Sequence, residues 1–229
     1  MQFVRYAIYY TPPDGLFASF GAQWLGWDVT AGLATQQPNF GGLPIPLSQI
    51  TQTPRRYGFH ATLKPPFRLA TGQRIDALCE ALDSLSSNQK PVTLDGLQIA
   101  ALGSFLALVP LGSTIELSEL AAKVVRDLDG FRAAQGADEL TRRRHHRLST
   151  AQESNLTRWG YPHVMDQFRF HMTLTGKLSK TDLNATQTAL EPLLEPLIAR
   201  PFTLSSLTLA GEDDLGMFHQ IHRSAFSAP

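Results

Sequence analysis

Histidine ionises nearer neutral pH than any other side chain, so a histidine beside a hydroxyl is a natural place for proton-transfer chemistry. Two of the seven histidines share one local setting. Tyr57-Gly-Phe-His-Ala-Thr-Leu-Lys64 and Phe168-Arg-Phe-His-Met-Thr-Leu-Thr175 both read Phe-His-x-Thr-Leu, and their histidines lie 111 residues apart. In an extended strand, alternate side chains share a face. Phe59, Ala61 and Leu63 then face a core, and Gly58, His60, Thr62 and Lys64 face the other way. In the second copy Phe168, Phe170, Met172 and Leu174 face the core. Arg169, His171, Thr173 and Thr175 share the opposite face.

Two such faces, related by a pseudo-two-fold axis, make a cleft in which two imidazoles and two hydroxyls converge. One imidazole can act as a base while the other acts as an acid, which suits in-line displacement at phosphorus. One takes a proton from the attacking oxygen and the other protonates the leaving oxygen. Thr62 and Thr173 can donate to the non-bridging oxygens, where charge grows. Lys64 and Arg169 add positive charge there or sit on a solvated rim. The chemistry requires no metal and no cofactor. Which histidine is base and which is acid is not readable from pseudo-symmetric motifs.

The elements that position these residues repeat as well. Residues 1–10 are rich in β-branched and aromatic types and predict a strand. The spacing of Leu16, Phe17, Phe20, Trp24 and Leu25 predicts a helix over 15–27. Residues 28–54 predict a long loop. The first motif strand is expected near 56–64, stopped by Pro65-Pro66. A helix follows over 74–87, then strands over 92–101 and 105–109. Ser113 with Glu116 predicts a capping box opening a helix over 116–129. A polar segment follows over 130–163, with a second capping box at Thr150 and Glu153. The second motif strand is expected at 167–175. A helix over 180–198 should break at Pro192 and Pro196, before strands at 202–210 and 217–222. Leu94, Leu97 and Ala100 recur as Leu204, Leu207 and Ala210. Each half thus reads strand, helix, motif strand, helix, strand. The expected fold class is α+β: residues 1–229 as one bilobal domain whose lobes share strands. Each lobe is an antiparallel sheet with outer helices, and the cleft lies between them.

Composition bounds the partners. Lys+Arg and Asp+Glu are both 20, giving zero formal charge at pH 7. That argues against a long nucleic acid, which needs a basic surplus. There is one cysteine, Cys79. It falls on the apolar stripe of its helix and has a plain role as a small core residue. No intrachain disulfide or cysteine-based zinc site can form. No apolar run is long enough for a membrane span, and the expected location is the cytoplasm. Oligomeric state is not readable.

At this point the residues resemble the two-histidine (2H) phosphoesterases, whose hallmark is a pair of His-x-Thr/Ser motifs in two similar α+β lobes. His60-Ala61-Thr62 and His171-Met172-Thr173 match both. RYAIYYTPP, YGFHATLKPPFRLA, Phe131-Arg132 with the arginine-rich stretch, WGYPHVM and FRFHMTLTG resemble the branch named for phosphonate metabolism. The resemblance covers nearly the whole chain. It implies a phosphodiester hydrolase acting on a small phosphorylated substrate, with catalysis by His60 and His171 and phosphate binding by Thr62 and Thr173. Members of that branch occur beside carbon–phosphorus lyase genes. That setting suggests a ribose 1,2-cyclic phosphate bearing a 5-phosphate. Arg142, Arg143 and Arg144 would then be candidates for the extra phosphate, because arginine pairs with it bidentately. A solvated basic run is the bland reading.

Three rivals remain open. An RNA-end enzyme would act on 2′,3′-cyclic phosphates or 2′-5′ linkages, with Tyr6, Tyr10 and Trp159 as stacking platforms. A metal-dependent hydrolase would draw on His145-His146, His163, His219 and His222, whose spacings match no zinc pattern. A sensor would bind a cyclic nucleotide without turnover. There is no Gly-x-Ser-x-Gly elbow and no phosphate loop of the Gly-x4-Gly-Lys-Ser/Thr type, so serine hydrolysis and an ATP-driven reaction are not indicated.

Overall fold

Arg5–Tyr10 (β1) alternates Ala7 and Tyr9 with Ile8 and Tyr10, and all four are buried. A strand buried on both faces belongs in the middle of a sheet. The computed structural model describes residues 2–144 and 147–228. After β1 come α1 (Leu16–Leu25), the short strands β2 (Trp27–Asp28) and β3 (Leu33–Ala34), α2 (Leu47–Ile50) and β4 (Ala61–Phe67). Next are α3 (Ile75–Ser87), β5 (Val92–Leu94) and β6 (Gly96–Leu102). The second half runs β7 (Phe105–Leu111), α4 (Ile115–Asp127), α5 (Ala137–Arg143), α6 (Thr150–Trp159), β8 (Met172–Thr173) and α7 (Lys180–Leu194). It ends with β9 (Phe202–Leu204), β10 (Ser206–Glu212) and β11 (Phe218–Ala225).

Seven strands form one antiparallel sheet in the order β11-β10-β1-β4-β8-β7-β6. The α+β class and antiparallel pairing are as expected. The two halves, however, meet within one continuous sheet. β4 joins β8 through a single registered pair, Ala61 opposite Met172. Each half also lends its last long strand to the other. β6 of the first half pairs with β7, and β10 of the second pairs with β1. A separate ribbon, β5 with β9, places Thr93 opposite Thr203, 110 residues later, with their hydroxyls 3.3 Å apart. Corresponding residues thus face each other at both junctions, as a pseudo-two-fold axis requires.

The main core lies on one side of the sheet. It joins Ile8, Leu63, Leu108 and Leu209 to the apolar stripes of α1, α3, α4 and α7. The other side carries a smaller cluster of Ala7, Tyr9, Trp27, Val29, Ala210 and Phe218, and beside it the cleft. Cys79 packs at the edge of the main core as expected, and burial pushes its thiol up.

Several boundaries differ from expectation. Pro54–Tyr57 is a 3-10 turn, and the first motif strand starts only at Ala61. It then runs through Pro65 and Pro66 instead of stopping there. The register jumps from Tyr6↔Phe67 to Ile8↔Lys64, so the prolines sit in a bulge where no ladder partner is needed. The second motif strand is reduced to Met172–Thr173. α4 starts after Thr114 without a side-chain cap, and the second capping box is Ser149 with Gln152. α7 passes through Pro192 and ends at Leu194.

α1 lies directly on Phe59, the residue before His60. Gly21 makes this possible, since a Cβ there would fall 1.9 Å from the Phe59 ring and 2.7 Å from its Cβ. Alanine gains about 1 kcal/mol of helix propensity over glycine. Overpacking a core costs about 1–3 kcal/mol. Gly21→Ala is therefore expected to lower the urea midpoint despite the better helix former. A raised midpoint would show that Phe59 yields without cost.

Candidate active site

His60 stands at the threshold of β4, after the turn Pro54–Tyr57. Gly58 has φ +68°, and a Cβ there would meet Val29 Cβ at 2.7 Å, so only glycine suits this position. The turn aims the Gly58 carbonyl at His60 Nδ1, 3.0 Å away. A carbonyl can only accept, so Nδ1 carries the hydrogen and Nε2 keeps its lone pair. Nε2 lies 3.0 Å from Thr62 Oγ1, which donates to it. The Tyr9 ring lies against the imidazole, with centroids 3.8 Å apart and planes 30° apart. His60 is only 9 % exposed. Burial pushes its pKa down to about 4, the nearby His171 pushes the same way, and the Gly58 hydrogen bond opposes them.

His171 repeats this device. Its Nδ1 donates to the Arg169 carbonyl at 2.9 Å, again two residues back. Its Nε2 has no protein partner among the described residues. The ring is half-buried, near Phe105. Antiparallel pairing of Ala61 with Met172 sets His60 across from Thr173 and Thr62 across from His171. Ala61 and Met172 point into the core, so the four functional side chains share the other face. Cross-strand and diagonal neighbours lie within about 4.5–8 Å of one another. The structure thus brings together His60, Thr62, His171 and Thr173.

The expected cations do not all join them. Lys64 turns away. The bulge in β4 places it opposite core residue Ile8, and its ammonium bonds the Val125 carbonyl and Asp129 Oδ1, both at 3.1 Å. Burial lowers the Lys64 pKa, while Asp129 raises it. Asp129 also takes two bonds from Arg132, at 2.8 and 2.9 Å. Burial alone would raise the Asp129 pKa, but the Arg132 and Lys64 bonds outweigh it and hold the carboxylate ionised. Thr175 is likewise committed, accepting from Leu106 N at 2.9 Å and donating to the Gly176 carbonyl. Arg169 is exposed, and its backbone rather than its side chain serves His171. Arg144 is exposed and paired with Glu153. Arg142 is exposed in the last turn of α5, and Arg143 beside it is half-buried over the Tyr161 ring, 4.9 Å away.

The other histidines do not converge. His219 bonds Asp213 at 2.8 Å and His222 bonds Asp83 at 2.7 Å, two separate carboxylates. His163 is exposed beside Tyr161. Among the described residues, no three His, Cys, Asp or Glu side chains gather to hold a metal. His145 and His146 lie outside the described residues. Of the proposed stacking platforms, Tyr10 is a core residue, Tyr6 packs against the core, and Trp159 lies under Arg158. No helix among the described residues is long and apolar enough to cross a membrane.

Tyr9 and Gly58 escaped the sequence reading. The alternation in β1 separates Tyr9 from Tyr10, but only the pairing of Tyr9 with Thr62 sets it at the site. The signal for Gly58 is a glycine two residues before the histidine, and it becomes legible only with the turn conformation.

Residues 62–219 match the family described as a protein of unknown function (DUF1045), and the chain belongs to that family. Two bacterial relatives share the name ribose 1,5-bisphosphate phosphokinase PhnN. The one from Janthinobacterium sp. (strain Marseille) is 38 % identical over 230 residues, covering 97 % of this chain and 51 % of the relative. The one from Laribacter hongkongensis (strain HLHK9) is 32 % identical over 181 residues, covering 79 % of this chain and 42 % of the relative. The chain thus spans about half the length of the curated relatives it matches. Among solved structures, E. coli LigT complexed with NADP+ aligns over 100 % of both chains, at 12 % identity and a TM-score of 0.45.

The buried imidazole gives a stability prediction. Above about pH 6.5, His60 is neutral whether folded or unfolded. As pH falls from there to about 4, the unfolded chain takes up a proton that the folded ring refuses. Stability drops across that window by about 3 kcal/mol and levels off below it. Urea unfolding at pH 7 and pH 4.5 should show a larger acid loss for the wild type than for His60→Gln. Equal losses would mean that the folded ring already holds the proton.

Proposed function

We propose that this protein is a phosphodiesterase that opens a small cyclic phosphate by general acid–base catalysis between His60 and His171. One observation carries the reading. Each half supplies an imidazole whose Nδ1 is tied to the carbonyl two residues back, freeing Nε2 for the same cleft, beside Thr62 and Thr173. This is the arrangement that the resemblance to the two-histidine phosphoesterases implies for His60-Ala61-Thr62 and His171-Met172-Thr173.

His60, held neutral by burial, is the base. Its Nε2 takes a proton from water as the water oxygen attacks phosphorus. An anionic phosphate in the cleft favours the protonated ring, so substrate binding moves the His60 pKa back up. His171, the more exposed ring, donates a proton to the departing ester oxygen as the phosphorus–oxygen bond breaks. Thr62 releases Nε2 and, with Thr173, donates to the non-bridging oxygens. The two rings then exchange protons with solvent to reset.

The substrate we infer is a ribose 1,2-cyclic phosphate carrying a 5-phosphate. Cleavage of the bond between phosphorus and O2 leaves the phosphate on O1 and yields ribose 1,5-bisphosphate. That product is the sugar in the name of the two relatives, of which this chain matches about half. This chain has no Gly-x4-Gly-Lys-Ser/Thr phosphate loop of its own. A step that makes the sugar phosphate, next to one that phosphorylates it, accounts for the pairing.

Phosphorus NMR in the presence of a chelator tests the reading, with the sugar cyclic phosphate and 2′,3′-cyclic nucleotides offered in turn. Ring opening of the sugar phosphate is expected. His60→Ala and His171→Ala should each lose about 10²–10⁴-fold in turnover, and Thr62→Ala and Thr173→Ala less. Turnover of the nucleotides alone would move the substrate to RNA ends. A full-rate His171→Ala enzyme would end the mechanism.

A further inference from the structure

α5 lies across one end of the cleft. Its Glu139 sits 3.8 Å from Arg68, just past the end of β4. The charge of Glu139 also reaches Arg5, at the start of β1. β1 runs from Arg5 to Tyr9, on which His60 stacks, a span of about 13 Å. Arg143 is one turn beyond Glu139 and reaches over Tyr161. Tyr161 is close enough to Tyr57 for their charges to interact, and the Tyr57 ring is 6.1 Å from the His60 ring. Arg143, Tyr161, Tyr57 and His60 thus form a continuous row along the cleft.

Arg143 is incompletely satisfied. Its Nη2 donates to Glu139 Oε1 at 2.8 Å. Its Nε is buried and meets no acceptor among the described residues. A buried donor without an acceptor is costly, and native structures rarely keep one without a purpose. The other cations of the region are occupied. Arg144 gives both Nε and Nη2 to Glu153, Lys64 is bound to Asp129, and Arg5 is bound to Glu212. Glu139 and the Tyr161 face fix the plane of the Arg143 guanidinium. Its Nε edge is left as a preset fork for an anion with two oxygens.

We propose that Arg143, held by Tyr161 and Glu139, is the subsite for a second, terminal phosphomonoester of the substrate. This rests on the phosphoester reading above and deepens it. The His-x-Thr pair takes the cyclic phosphate, and Arg143 takes the phosphate at the far end of the same sugar. Arg143 is then a specificity-determining residue that touches substrate away from the reacting atoms. It governs KM for phosphorylated sugars and leaves the chemical step alone.

Two measurements separate this from the catalytic reading. In the first, ribose 5-phosphate and ribose are titrated calorimetrically into the wild type, Arg143→Met and Arg143→Lys. Arg143→Met should weaken ribose 5-phosphate binding by about 10- to 100-fold, the loss expected for charge-assisted hydrogen bonds. Arg143→Lys, which keeps the charge without the fork, should recover part of it. Unchanged ribose 5-phosphate binding in Arg143→Met, or an equal loss for ribose, overturns the proposal. In the second, turnover of ribose 1,2-cyclic phosphate is followed with and without the 5-phosphate. Arg143→Met should raise KM for the phosphorylated substrate alone, with kcat held. Equal losses on both substrates would assign Arg143 a structural role. If the wild type turns over neither, the phosphoester reading falls, and the titration still decides Arg143.

Discussion

One registered pair of residues, Ala61 against Met172, sets where everything else in the cleft can be. It is the middle residue of each His-x-Thr motif that makes this contact, so the histidines and threonines flank it on one face. A slip of one residue would turn all four toward the core. Such a short junction needs support from elsewhere. Exchange of β6 and β10 between the halves supplies it, since neither half can close its part of the sheet without a strand from the other. The Thr93–Thr203 ribbon ties the halves together a second time.

The site is governed by hydrogen bonding and burial more than by net charge. Two backbone carbonyls fix both imidazoles in one tautomer, and burial among Tyr9 and Phe59 keeps His60 neutral. The nearby cations are largely paired, Lys64 and Arg132 with Asp129, Arg5 with Glu212 and Arg144 with Glu153. Such a cleft attracts anions weakly at long range. It recognises them by placed donors at short range, which suits a small phosphorylated molecule better than a long polyanion.

The amino-acid sequence by itself determined the duplication, the α+β class, the two His-x-Thr motifs and the helices that cover the sheet. These are local signals: strand alternation, helical spacing and a repeated string of residues are all carried by neighbours in the chain. Tertiary structure decided the rest. Period-two alternation assigned Lys64 to the face of His60, but a bulge at Pro65-Pro66 turned it to Asp129. Only the partner strand reveals such a bulge. A run of arginines reads as one basic patch. Packing on Tyr161 half-buries Arg143 and leaves Arg144 exposed on Glu153, a distinction made by side chains distant in sequence. Tyr9 looks like one more apolar strand residue until the ladder sets it beside Thr62 and under His60. Motif chemistry is local and can be seen in the chain, whereas its protonation and its charged neighbours depend on burial and register, which exist only after the halves have paired.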